Sequence, residues 1–164
     1  MLARILSGTP TWVFLLFFAL LALGILQTRS RLIAPARVAI LPAAFLAFSL
    51  YGVVSTFGTA PVVLALWVAG IGTAVLLNRV SRQPAGVRWD AHSGAFHVPG
   101  SWVPLGLMMA VFFARYAIAV TRAMQPAFAG TPAFAAIAAF AYGLMSGMFL
   151  ARALHIWSRR GAQP

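Results

Sequence analysis

Residues Trp102 to Arg122 read WVPLGLMMAVFFARYAIAVTR, an apolar run of membrane-spanning length with one arginine, Arg115, near its middle. At ~1.5 Å rise per residue, such a run crosses a hydrocarbon core of ~30 Å as an α-helix. Other long apolar runs lie on both sides of it in the chain. The sequence predicts an all-α membrane protein, a single integral-membrane domain over 1–164 with five transmembrane helices, at 11–27, 38–57, 61–78, 102–122 and 133–154.

The composition supports a membrane protein and excludes several classes of chemistry. The 164 residues are 62% hydrophobic, with a mean hydropathy of +0.93, which is outside the range of soluble globular domains. Twelve basic residues, all arginine, stand against one acidic residue, Asp90, and there is no cysteine. Paired carboxylates, thiolate nucleophiles and iron–sulfur ligands are therefore absent from the sequence. We expect a protein that is not an enzyme and needs no cofactor.

The arginines are distributed unevenly among the segments that join the predicted helices. Arg4 and Arg122 lie on one side of the predicted bundle, and the larger group lies on the other. That larger group consists of Arg29, Arg31, Arg37, Arg79, Arg82, Arg88, Arg152, Arg159 and Arg160. Positively charged loops stay in the cytoplasm, which predicts a multi-pass protein of the bacterial inner membrane with its N-terminus outside and C-terminus inside. Such charges favour anionic lipids of the bilayer as partners, and we expect no nucleic acid.

The connector between the third and fourth predicted helices contains a segment of alternating polarity. Residues 87–98, VRWDAHSGAFHV, predict a short cytoplasmic β-hairpin within 86–99 that turns at Ser93-Gly94. One face carries Arg88, Asp90, His92 and His97, and the other carries Val87, Trp89, Phe96 and Val98. Asp90, His92 and His97 are candidate metal ligands, but their spacing matches no metal motif, so no metal is expected. The alternative is that Asp90 pairs with His97 or a neighbouring arginine.

Arg115 is the most unusual residue of the sequence. A charge at this depth costs at least ~2.5 kcal/mol on insertion scales, and such residues usually face the interior of a helix bundle. No acidic residue lies in a predicted span. The partner of the guanidinium must then be backbone carbonyls, hydroxyls, water, a lipid phosphate, an anionic ligand, or a carboxylate of another protein. We take Arg115, Tyr116 and Arg122 as candidate residues for binding an anionic ligand or lipid.

A purely structural role for Arg115 is the alternative. Its long side chain could snorkel outward or join helices by bonding backbone carbonyls and hydroxyls. The hydroxyls available on neighbouring helices belong to Ser49, Tyr51, Ser55 and Tyr142.

The fifth predicted helix carries small residues at intervals of four. They are Ala135, Ala139, Gly143, Gly147 and Ala151. This small-residue stripe predicts close helix packing, either within the chain or in a homodimer. Gly70 and Ala74 repeat the pattern weakly in the third helix.

Several short motifs together resemble a known family. They are Pro35-Ala36-Arg37, Ile40-Leu41-Pro42, the hairpin, Arg115, and a closing helix with Gly143, Gly147 and Arg152. This arrangement is similar to the CcdC-like small bacterial inner-membrane proteins, a family of unknown function associated by name with cytochrome c maturation loci. The resemblance implies an accessory inner-membrane protein, with Arg37 and Arg115 at matching positions. The chain departs from the family in having no lysine and one acidic residue.

These observations favour a polytopic, non-enzymatic accessory or assembly factor that uses Arg115 to bind an anionic lipid, a ligand, or a partner such as another membrane protein or a second copy. The alternative is a small transporter or channel subunit in which a homo-oligomer supplies further helices and Arg115 selects anions. A third hypothesis, an enzyme acting on lipid-borne substrates, rests only on tyrosine, serine and histidine residues near the predicted interfaces.

Overall fold

The computed structural model describes residues 10–81 and 84–160. The helices are α1 (Thr11–Leu26), α2 (Pro35–Phe57), α3 (Pro61–Ser81), α4 (Val103–Met124), the single-turn α5 (Pro126–Ala129) and α6 (Pro132–Ser158). The strands are β1 (Arg31–Ile33), β2 (Arg88–Asp90) and β3 (Ala95–Val98). Arg4 and Arg82, which the sequence analysis assigned to opposite sides of the bundle, lie outside the described residues.

Proline begins most of the helices. Pro35, Pro61 and Pro132 are the first residues of α2, α3 and α6, where a missing N–H costs no hydrogen bond and the fixed φ suits a helix. Thr131 caps α6, because its hydroxyl oxygen accepts a 3.3 Å hydrogen bond from the amide of Phe134. Sequence signals of this kind explain why the predicted and observed helices agree within a few residues.

Within the described residues, α2, α3, α4 and α6 are long and apolar enough to cross a membrane. Helix α1 has 16 residues, or about 24 Å at ~1.5 Å per residue, which is less than the ~30 Å of a hydrocarbon core. The structure thus contains four helices of full spanning length and a shorter fifth, where the sequence predicted five full spans.

The helices divide into two groups by their packing. Helix α6 packs extensively on α3 and on α2, whereas α1 packs mainly on α4. The contacts between α4 and α6 are sparse by comparison. The pair α1–α4 therefore stands beside the group α2–α3–α6, and the space between them becomes the cleft described below.

The strands form a three-stranded antiparallel sheet with the order β1-β3-β2. In β2 and β3, Trp89 pairs with Phe96 and Asp90 with Ala95. The predicted hairpin is therefore part of a larger sheet. Strand β1, which the sequence analysis did not predict, pairs with β3 and places Leu32 opposite His97. Its connection is a four-residue loop, 91–94, rather than a tight turn at Ser93-Gly94.

The sheet covers one end of the helix bundle, which we call the sheet end. Phe96 is fully buried there with Val87 and Val98, against Val38 of α2 and Ile156 of α6. Arg88 and His97 are exposed on the opposite face of the sheet, as the alternation of the sequence predicted. A second apolar cluster forms towards the far end, around Val53, Val63, Ala139 and Tyr142.

Candidate functional site

A large cleft lies between the pair α1–α4 and the helices α2 and α6. Its volume is about 990 Å³, at the upper end of the ~300–1,000 Å³ typical of small-molecule sites. Apolar side chains from all four helices form most of its wall, with Trp12, Phe45, Phe112 and Met145 among them. The described residues that line it include no acidic side chain and no histidine.

Arg115 lies in the wall of this cleft. It is about 14 Å from the end of α4 at Met124, at ~1.5 Å per residue, and its side chain is half-buried. Its Nη2 atom donates a 3.3 Å hydrogen bond to the backbone carbonyl oxygen of Phe48 in α2. The charge of Arg115 thus faces the bundle interior, and the hydrogen bond uses only one of its five N–H donors.

Two aromatic rings stabilise the Arg115 guanidinium. Its central carbon lies 4.2 Å from the centroid of the Phe48 ring and 5.3 Å from that of Tyr142, within the ~6 Å range of cation–π attraction. Gly52, one turn after Phe48, leaves room for the guanidinium, since a β-carbon there would lie 3.1 Å from Arg115 Nη2. Rings and a glycine therefore hold the charge without neutralising it.

The other two candidates on α4 also line the cleft. Arg122 is exposed and lies in the last turn of the helix. Tyr116 is half-buried, and its ring stacks on Phe112 with centroids 6.2 Å apart. The structure therefore brings Arg115, Tyr116 and Arg122 to one cleft, with Arg122 nearer the end of the bundle that is opposite the sheet.

The hydroxyls expected around Arg115 are used elsewhere. Ser49 accepts a 3.0 Å hydrogen bond from Trp67 Nε1 and donates one of 3.1 Å to the carbonyl oxygen of Tyr142. Ser55 bonds the carbonyl oxygen of Gly52, and Tyr51 is 70% exposed. Tyr142 contributes its ring instead of its hydroxyl. The sequence analysis did not identify Phe48 and Gly52 as contacts of Arg115. The available signal was that an aromatic residue and a glycine lie one turn apart on α2.

The small-residue stripe of α6 lies against α3. A β-carbon on Gly143 would meet the backbone of Trp67, and one on Gly147 would lie 2.7 Å from Ile71 Cα. Gly70 of α3 likewise lies against the backbone of α6. The small residues of α3 therefore pack against the small-residue stripe of α6. Ala139 is fully buried, Ala135 packs beside it, and Asn78 Nδ2 donates to the carbonyl oxygen of Ala151 at 3.2 Å. The stripe serves packing within the chain.

The polar face of the sheet does not gather metal ligands. Among the described residues no three histidine, cysteine or acidic side chains come together. Asp90 instead accepts hydrogen bonds from the Ser93 hydroxyl at 2.6 Å and the His92 amide at 3.0 Å. These bonds lower the pKa of Asp90. Asp90 therefore closes its own four-residue loop, a pairing that the sequence did not predict.

The arginines of the described residues concentrate at the sheet end. There the helices α1, α3 and α6 end and the helices α2 and α4 begin. Arg37 is exposed at the start of α2. The arginines at the sheet end are Arg29, Arg31, Arg37, Arg79, Arg88, Arg152, Arg159 and Arg160. Arg122 is at the far end, so the charge asymmetry of the sequence is also a spatial one.

Four long apolar helices and a half-buried arginine in an apolar cleft define a helical protein of the membrane type. The chain belongs to the family of unknown function DUF6622, whose model matches residues 1–161. The match does not connect it to the CcdC-like proteins that its short motifs resemble. No curated protein and no solved structure matches the chain.

Proposed function

We propose that this protein is a non-enzymatic, multi-pass accessory protein of the bacterial inner membrane that binds an anionic amphiphile in the cleft, with the acidic group of the ligand on Arg115. The observation that carries the proposal is the position of Arg115, a permanent charge in an apolar cleft whose described lining contains no acidic side chain. An arginine at such a depth costs ~2.5–3.5 kcal/mol on insertion scales. An anion that pairs with it offsets that cost.

The ligand class follows from the two chemistries of the wall. Apolar side chains of α1, α2, α4 and α6 suit acyl chains or another hydrocarbon body. The guanidinium of Arg115 suits a phosphate or carboxylate, which its planar donors can bind in bidentate fashion. Arg122, near the outer end of the cleft, would attract the same headgroup on entry. An acidic phospholipid has both features.

A non-catalytic role is supported by what surrounds Arg115. Asp90, the one acidic residue of the chain, lies in the sheet, as does His97, while His92 lies in its loop and His155 near the sheet end of α6. None of these four residues lines the cleft. Acid–base catalysis needs such a group within hydrogen-bond reach of the reacting atoms. The resemblance to CcdC-like proteins also favours an accessory role over a reaction.

The orientation that we propose places the sheet end in the cytoplasm. The concentration of arginines there supports it through the positive-inside rule. Helix α1 then serves as a fifth, shorter span, with the N-terminus outside and the C-terminus inside. In this orientation Arg115 and Arg122 lie in the outer half of the bilayer.

Native mass spectrometry in a mild maltoside detergent tests the proposal. We expect the wild-type protein to retain a molecule with the mass of an acidic amphiphile, and Arg115→Leu to lose it. Arg159→Leu is the matched control, because Arg159 is an exposed arginine at the sheet end. Retention by the Arg115→Leu variant, or bare protein in all three samples, would refute the proposal.

The same spectra report the number of subunits. A folded oligomer that conducts anions through liposomes, in an Arg115-dependent way, would replace the accessory role with that of a channel or transporter subunit.

A further inference from the structure

Arg152 has a guanidinium nitrogen that is buried without a partner. It lies in the final third of α6 and is half-buried. Its Nη1 atom is shielded from solvent and has no hydrogen-bond partner within residues 10–81 and 84–160. A guanidinium remains charged and has only donors, so leaving a buried edge unpaired is costly.

A second guanidinium lies on the face of the sheet that is turned to α6. Arg31 of β1 pairs with Val98, whose side chain packs with Ile156 of α6, and directly paired residues share a face of the sheet. From this face the charge of Arg31 acts on that of Arg152. Arg37 of α2 also repels Arg31. Partial burial, and to a lesser extent the charge of Arg37, lowers the pKa of the Arg31 guanidinium. Like charges from β1, α2 and α6 therefore act on one another at the sheet end.

The position of Arg31 is maintained by specific contacts. Its Nη2 atom donates a 2.9 Å hydrogen bond to Gln27 Oε1, and Gln27 Nε2 lies 3.8 Å from the sulfur of Met108. The end of α1 and the start of α4 thus help to hold one of the mutually repelling guanidinium groups in place. Such an arrangement is stable when an anion lies between the charges.

The chain supplies no acidic side chain for this role. Asp90 is the one acidic residue, and its carboxylate oxygens are bonded to Ser93 and His92 in the loop of the sheet. A phosphate group has several acceptor oxygens and up to two negative charges, which match two guanidinium groups.

We infer that Arg152 and Arg31 form a binding site for a phosphate group at the sheet end of the protein. This site is separate from the cleft of Arg115, and it does not depend on the proposed function. The phosphate could belong to a lipid headgroup or be a free phosphate, and both present the same oxygens to the two arginines.

Thermal unfolding of the purified full-length chain in phosphate-free maltoside detergent tests the inference. One arm adds inorganic phosphate, and the other adds mixed micelles containing phosphatidylglycerol. We expect the Tm to rise and saturate in at least one arm. A response to inorganic phosphate that Arg152→Gln weakens identifies a site for free phosphate, and a response to phosphatidylglycerol alone that Arg152→Gln weakens identifies a headgroup site.

Arg152→Gln and Arg31→Gln should weaken the response about tenfold or more in apparent affinity. Arg88→Gln is the matched control, since Arg88 is an exposed arginine of the same sheet. Without any phosphate, Arg152→Gln should melt no lower than the wild type, because it removes an unpaired buried charge. A wild-type protein that responds in neither arm, or variants that respond as strongly as the wild type, would overturn the inference. The phosphatidylglycerol arm is run in an Arg115→Leu background, in which the cleft of the proposed function is disabled, so a remaining response that Arg152→Gln removes belongs to this site and not to the cleft.

Discussion

Phe48 contacts the charge of Arg115 in two ways at once. Its backbone carbonyl oxygen accepts a 3.3 Å hydrogen bond from Arg115 Nη2, and its ring centroid lies 4.2 Å from the guanidinium carbon. A single residue of α2 therefore positions the charge of α4 across the cleft. Because neither contact carries a negative charge, Arg115 keeps its full attraction for an anion.

Gly52 is the position at which this arrangement can be disturbed without removing a charge. We expect Gly52→Val to displace the Arg115 guanidinium, because a β-carbon alone would lie 3.1 Å from Nη2. Retention of the acidic amphiphile should fall about tenfold, measured by native mass spectrometry. Gly72→Val is the control, since a β-carbon at Gly72 of α3 meets nothing within 4 Å. Equal retention by both variants would show that the placement of Arg115 is irrelevant to binding.

Gly143 lies where the backbones of α3 and α6 pack closely. We expect Gly143→Ile to lower the free energy of unfolding by ~3 kcal/mol or more, because the new side chain would clash with the backbone of Trp67. Thermal unfolding in detergent measures the effect, with Gly72→Ile as the control of the same size. If Gly143→Ile instead yields a folded monomer from a wild-type dimer, the stripe of α6 mediates association.

Asp90 should make the loop of the sheet sensitive to acid. Hydrogen bonds from Ser93 and His92 lower its pKa, below the usual ~3.9. A depressed carboxyl pKa stabilises the fold above the pKa of the unfolded chain, and this contribution disappears as the pH falls through the folded value. We expect the amide of His92 to exchange faster below about pH 4, beyond the ordinary pH dependence of exchange. In Asp90→Asn, the amide of His92 should show no additional rise in exchange rate below this pH. An additional rise that persists in this variant would contradict the role of Asp90.

The orientation can be tested with reporters at the C-terminal end of the chain. Helix α6 ends at the arginine-rich sheet end, which the positive-inside rule places in the cytoplasm. A C-terminal alkaline phosphatase fusion should be inactive, and a C-terminal fluorescent protein fusion should fluoresce. The opposite pattern would invert the proposed topology, with Arg115 then in the inner half of the bilayer.

The unusual charge of the site was predictable from the sequence, but its surroundings were not. Arg115 stands out because it interrupts an apolar run. Its contacts with Phe48, Gly52 and Tyr142 join α4 to α2 and α6, and no local pattern encodes these pairings. The sequence assigned Arg31 and Arg152 to the group of arginines that sets the topology, and Arg152 also to a family motif. It did not associate the two with each other, because they are far apart in the chain.

The sequence by itself determined the helices and the unequal placement of arginines. Apolar runs of bilayer length form helices because their backbone groups must bond internally in lipid, and proline and threonine set where these helices begin. Only the tertiary structure decided how they pack. Helix α1 is apolar on every side, so its sequence does not indicate which side faces inward. The addition of β1 to the sheet, the cleft beside α1 and α4, and the meeting of Arg31 with Arg152 all depend on that packing.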